Sequence, residues 1–301
     1  MKQLLALPLE YSAYYLKFDR VFPLIDRKLQ DLIIITNKGR QSCLDISSKI
    51  MNVDDEYIDD LFFQFKRLFQ TAIEASSLNT ILNLNSAVRA DICLGCTQYI
   101  DSLYMRYGPT GIQVLEREYT YHQRLNPTLN PVTIKNLKPR VPLIISQPFF
   151  YGTTHLQMNE ILDQCLELNI PVHIDGAWIT ACRNIFVDFN HPAISSFAIS
   201  MSKGYGLSGW NRIGVRWTKE TIEDAITVMN DYTQIPTQAV TTGIYFLNSV
   251  QPDHLWLTHK NRYNKICANF DLETTDSIHL AMKDGNPIGI ESLIRFLEDN
   301  D

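Results

Sequence analysis

SFAISMSKGYGLSGWNRIGVRW, residues 196–217, starts apolar, turns polar at Ser200 and becomes apolar again from Ile213. The pattern predicts a buried strand over 195–200, a glycine-rich loop, and a second strand over 211–217. Lys203 opens the loop directly behind the first strand. Partial burial there lowers the pKa of an amine and favours a Schiff base with an aldehyde cofactor. Ser200 and Ser202 share one face of an extended segment, because side chains alternate with period two. Arg212 adds a planar fork suited to phosphate. Taken alone, a lysine in a solvated turn explains the same letters, so the neighbouring segments decide.

VHIDGAW (172–178) ends another apolar strand on Asp175. A carboxylate there is costly without a partner. A protonated ring nitrogen would supply one and make the ring a better electron sink. Ala177 is small enough for a flat ring to lie against it. His173 shares the Asp175 face, and a satisfied core histidine is the preferred reading of it. CLGCTQYIDSLYMRYG (93–108) reads as a strand, a glycine turn and a helix that stops at Gly108. Gly95, Cys96 and Thr97 stand where helix N–H groups bind phosphate. Cys93 and Cys96 lack a second Cys or His pair, so no metal site is expected. Tyr121 in REYTYHQ follows an expected strand over 112–118 and could stack on an aromatic ring, with Tyr119 and His122 as competitors. Gln147 follows the strand VPLIIS (141–146) and could bond a ring hydroxyl.

Strands therefore alternate with helices such as LQMNEILDQCLELN (156–169) and TKETIEDAITVMNDY (218–232, with a Thr cap). This argues for βαβ units and a largely parallel sheet with both faces covered. Ligands of such sheets bind at the carboxyl ends of the strands. Before this region, DLIIIT (31–36) reads as a short strand, and Asp54 and Asp55 open a helix to about residue 75. The C-terminal part reads as helical, broken by a strand SIHLAM (277–282).

The 301 residues are 45% hydrophobic and 20% charged, enough for a large core. A net charge of −6 lacks the basic surplus of a general nucleic-acid binder. No run reaches the roughly 18 apolar residues of a membrane span. LLALPL near the N-terminus is interrupted by Glu10 and does not read as a signal peptide. Six cysteines are too sparse for a disulfide-stapled fold, which points to a cytoplasmic location.

The motifs resemble, in order, those of the fold-type I pyridoxal-phosphate enzymes, the aspartate aminotransferase superfamily. CLGCTQYID looks like the Gly-Thr phosphate turn and EYTYHQ like the stacking-aromatic segment. SQPFFYGTTHLQMNEILDQCLELNIPVHIDGAW is similar to the Asn-Pro loop, its helix and the Asp-x-Ala-aromatic strand. SMSKGYGLSGWNRIGV looks like the lysine loop with its phosphate arginine. The resemblance implies an α/β fold: a three-layer α/β/α large domain with a mainly parallel sheet, plus a reduced small domain from the termini. The expected division is 1–55, an N-terminal small-domain part; 56–235, the cofactor domain; and 236–301, a short C-terminal domain. Lys203 would carry pyridoxal 5'-phosphate, Asp175 would pair with the ring nitrogen, and Tyr121 and Ala177 would flank the ring. Gly95, Cys96, Thr97, Ser200, Ser202 and Arg212 would hold the phosphate, and Gln147 the ring hydroxyl. A homodimer is implied, with Tyr11, Tyr14 and Tyr15 as contributors to the partner.

Three departures stand out: Gln147 replaces the usual Asn, the Lys203–Arg212 spacing is one residue longer, and the part after Lys203 is short. No confident arginine for a substrate carboxylate is found; Arg262 and Arg295 are available. Aminotransferase-type chemistry on an amino acid or amine is the leading expectation. A pyridoxal-phosphate decarboxylase, lyase or cyclase is the alternative, followed by a non-catalytic relative. A dinucleotide-binding domain fits poorly, because no G-x-G-x-x-G follows the first strand.

Overall fold

The structure, a computed structural model, describes residues 23–47 and 55–300. Its main sheet is built from the apolar runs. These are β2 (Arg89–Cys93), β3 (Gln113–Val114), β4 (Leu143–Ser146), β5 (Val172–Gly176), β7 (Ile194–Ser200) and β8 (Gly214–Thr218). The strand order is β2-β8-β7-β5-β4-β3. β3, β4, β5 and β7 pair in parallel, whereas β8 runs antiparallel to both β7 and β2. Two short sheets lie outside it: β1 (Thr80–Leu82) with β6 (Phe186–Asp188), and the hairpin β9 (Leu280–Lys283) with β10 (Asn286–Gly289).

Alternation along the strands creates two cores. Phe197 and Ile199 of β7 and Ile145 of β4 join the larger cluster. That cluster takes Phe62, Phe65 and Phe69 from α2 (Asp55–Glu74), Ile161 and Cys165 from α5 (Met158–Glu167), and Phe246 from α7 (Thr237–Ser249). Ala198 and Ile144, one residue out of phase, join the smaller cluster with Tyr99, Ile100 and Leu103 of α3 (Cys96–Tyr107). Helices thus cover both faces of a mainly parallel sheet, the expected three layers. Further helices are α4 (Tyr121–Leu125), α6 (Ala225–Asp231), α8 (His254–Phe270) and α9 (Glu291–Asn300).

Five sequence expectations are corrected. DLIIIT is not a strand but lies in α1 (Arg27–Ser47). Asp26 accepts from the Leu29 N–H at 2.9 Å, an N-cap bond, and Leu29 and Leu32 bury on one helical face. Capping and period-three burial outweigh the β-branched run, and Ile34 and Ile35 face solvent. The strand expected over 112–118 shortens to β3. The helix expected over 218–232 starts only at Ala225, because Asp224, not a threonine, caps it through the Thr227 N–H. The strand expected from Ser277 begins at Leu280, and the one expected from Asn211 begins at Gly214. Tyr11, Tyr14 and Tyr15 lie outside the described residues.

Candidate active site

The C-terminal ends of β2, β3, β4, β5 and β7 lie along one edge of the sheet. Arg212 joins them because β8 is antiparallel and therefore starts at this edge. Its first residue, Gly214, pairs with both Ser200 and Cys93.

Gly95 precedes α3 with φ of 83°, a conformation that favours glycine. A Cβ there would lie 2.8 Å from Arg212 Nε and 3.1 Å from Ser200 Oγ. The bare Cα leaves a concavity walled by a guanidinium and a hydroxyl. An Arg212 terminal nitrogen donates to Thr97 Oγ1, while its Nε is buried with no partner. Ser200 Oγ donates to Ser202 Oγ at 2.9 Å and accepts from the Ser202 N–H at 3.1 Å. Gly95, Thr97, Ser200, Ser202 and Arg212 are thus brought together. A turn of helix N–H groups, three hydroxyls and a half-buried guanidinium are groups that could hold a phosphate.

Asp175 sits on the same edge, 5% exposed, with its neighbour Ala177 donating an N–H at 2.9 Å. Burial raises the Asp175 carboxyl. The Cys96 thiol, the Ala177 N–H and the Lys203 and Arg212 charges act against that rise. Cys96 is buried and its own pKa is driven well up by burial, so it serves as a thiol donor rather than a thiolate. Lys203 is half-buried, with Nζ 4.5 Å from the centroid of the Trp178 ring. Burial and then the Arg212 charge lower its pKa. A lowered pKa is what a nucleophilic amine requires.

The remaining residues divide. Gln147 is fully buried. Its amide nitrogen donates to Thr154 Oγ1 at 2.9 Å and to the Phe186 carbonyl at 3.4 Å, and its backbone N–H donates to the Asp175 carbonyl. Gln147 Oε1 has no partner. Tyr121 donates to Asp101 Oδ1 at 2.6 Å, and burial with that carboxylate pushes its hydroxyl up to about 12. Tyr119 stacks on Tyr121 with centroids 5.9 Å apart. It is half-exposed and close enough to Asp175 and Arg212 to feel both charges. His173 does not touch the Asp175 carboxylate. Its Nδ1 bonds Ser196 Oγ at 2.6 Å and its Nε2 bonds Tyr107 Oη at 3.2 Å, so it is the satisfied core histidine. His122 is buried against Tyr104. Arg262 lies beside His259, and Arg295 donates to Gln30.

Three residues with no role in the sequence reading also stand here. His279 packs edge-on against Trp178 at 5.0 Å. Its Nδ1 accepts from the Leu24 N–H, which places its ring proton on Nε2. Glu291 is buried within electrostatic reach of Lys203. Glu118 is buried beside the end of β4. Sequence spacing could not bring the first two to residues so far back in the chain. Glu118 is hidden among the charges of Glu116 and Arg117.

No protein-family model matches the sequence, and no curated protein matches it. Solved structures do match. Tyrosine aminotransferase from Leishmania infantum aligns with a TM-score of 0.61 at 12% identity, covering 97% of this chain and 95% of that one. The PLP-bound C-S lyase from Staphylococcus hominis gives 0.58 at 11% identity, covering 90% and 76%. Histidinol-phosphate aminotransferase from Clostridium acetobutylicum gives 0.51 at 12%, covering 87% and 80%. At these identities the likeness is one of fold alone: the chain has the fold of these aminotransferases and this C-S lyase, as expected from the motif order.

Proposed function

We propose that this chain is a pyridoxal-phosphate-dependent enzyme that acts on an amino acid or amine by aminotransferase-type chemistry through Lys203. One observation carries the reading. The Gly95–Arg212–Ser200 concavity, with its orphaned guanidinium Nε, lies on the same sheet edge as the Lys203 amine and the Asp175 carboxylate. A phosphate, an aldehyde carbon and a ring nitrogen on one flat cofactor match those three groups.

When bound, pyridoxal 5'-phosphate supplies an aldehyde for the Lys203 amine and a ring that withdraws electrons from the substrate's α-carbon. The chain's residues do the rest. Thr97, Ser200, Ser202 and Arg212, with the first N–H groups of α3 behind Gly95 and Cys96, hold the phosphate. Asp175, steadied by the Cys96 thiol and the Ala177 N–H, would hold the ring nitrogen in its protonated form. Lys203, with its lowered pKa, takes the α-proton and returns it. Ala177 on one side, and Tyr121 or its stacked neighbour Tyr119 on the other, would hold the ring. Gln147 orients the ring hydroxyl. On this reading residues 56–235 form the cofactor domain, 1–55 an N-terminal small-domain part and 236–301 a short C-terminal domain, and the enzyme is a cytoplasmic homodimer.

Wild-type protein loaded with the cofactor is expected to show a visible absorbance band that Lys203→Ala lacks. A wild type without the band sinks the proposal. Adding amino acids without a keto acid then identifies the reaction, since transamination leaves the cofactor as its amine form. A lyase or decarboxylase leaves it as the aldehyde, and the likeness to a C-S lyase supports that alternative. Light scattering of the loaded protein checks the dimer.

A further inference from the structure

The chain between β3 and α4 carries Tyr119 and Tyr121, and it is fastened at one buried group. Arg117, with φ of 66°, turns the backbone so that its own guanidinium reaches outward. There it donates to the Gly285 carbonyl at 2.7 Å in the β9–β10 turn and covers the Phe150 ring at 4.1 Å. Glu118 turns inward. One oxygen accepts from the Tyr119 N–H at 2.9 Å and from the Ser146 hydroxyl. The other accepts from the Ser146 N–H at 2.9 Å. Ser146 ends β4 and pairs in register with Asp175. The loop is therefore bound to the strand end that leads to Gln147 and Asp175.

We infer that Glu118 is a positioning residue for the aromatic wall of the site, holding Tyr119 in place beside Asp175 and Arg212. This rests on the functional reading above. Its chemistry is specific to a carboxylate: three donors converge on two oxygens, and an amide of the same shape would present one oxygen and an N–H₂ to them. Those donors favour the anion, while burial and the Asp175 charge oppose it and push the carboxyl up to about 7. Replacing a buried acceptor strands its donors. Tyr119 itself is half-exposed, so packing alone would not fix its ring.

The test compares wild type, Glu118→Gln, Tyr119→Leu and the double variant. In cofactor-free protein, hydrogen exchange of the peptide spanning residues 115–122 is expected to become about tenfold faster in Glu118→Gln, with the α2 and α7 peptides unchanged. In loaded protein, the cofactor dissociation constant and its visible circular dichroism should change about tenfold and visibly, respectively, in Glu118→Gln. The same substitution should change both little in the Tyr119→Leu background. Unchanged exchange, or additive effects of the two substitutions, overturns the inference. Should Glu118→Gln not fold, Ser146→Ala removes a single donor and should give the same changes at smaller size; no change there also overturns it. A wild type that binds no cofactor defeats the functional reading, whereas the exchange measurement still decides what Glu118 does.

Discussion

The chemistry proposed for the sheet edge depends on single atoms. At Gly95 a methyl group would meet both the Arg212 guanidinium and an unfavourable backbone angle. Gly95→Ala is expected to weaken cofactor binding at least tenfold while the far-ultraviolet spectrum stays native, which equilibrium dialysis and circular dichroism would check. Arg212→Ala removes a charge-assisted phosphate bond and should cost about 1.5–3 kcal/mol of binding, or roughly 10–100-fold in dissociation constant. Glu118 gives a pH signature. Its folded pKa, about 7, lies above the ordinary carboxylate value of 4.5, so the folded state holds its proton longer than the unfolded state. Stability from this group is full below about pH 4.5 and is lost as pH rises towards 7. Denaturation midpoints measured from pH 4.5 to 8 should therefore show that falling component in wild type and not in Glu118→Gln. The placement of Lys203, Asp175 and Arg212 at the sheet edge was legible from sequence because each directly follows or precedes an apolar run. The stacking of Tyr119 on Tyr121 was not, because adjacent turn residues carry no period to rank them.

Among the elements, α6 shows how one side chain can set a boundary. Asp224 Oδ1 accepts from the Thr227 N–H at 3.0 Å, and Oδ2 pairs with Arg216 at 2.5 Å. Arg216 is 1% exposed and also binds Asp91 at 2.7 Å, joining α6, β8 and β2. Burial lowers the Arg216 pKa, but its two carboxylate partners more than restore it. Asp224→Ala removes a cap and leaves half of a buried guanidinium unpaired. A loss of about 3–5 kcal/mol is expected in urea unfolding, far above the roughly 1 kcal/mol of a cap alone. A loss near the smaller value would show that water or Asp91 replaces the missing partner. The same element explains the misplaced helix start: a threonine cap is a local signal, whereas Asp224 wins because a charge buried on β8 needs it.

Across the whole molecule, His173 links three elements. It bonds Ser196 of β7 and Tyr107 of α3 from its place in β5, and Tyr99 shares Ser196. Burial lowers its pKa to about 3, and burial lowers His122 to about 4. Both are depressed below 6.5, so their contribution is present above that value and lost as pH falls towards 3 or 4. For His173 this is on the order of 3 kcal/mol by pH 4. Acid unfolding should accordingly begin below about pH 6 and take up protons, measurable by calorimetry at several pH values. The sequence by itself determined the alternating strands and helices, the parallel sheet and most of the sheet-edge residues, because burial on both faces writes apolar runs and ligands gather where those runs end. Only the tertiary structure decided that DLIIIT is helical, and that Glu118, His279 and Glu291 stand beside the sheet edge. Those outcomes depend on which donors and charges meet after folding, between residues whose separation along the chain carries no signal.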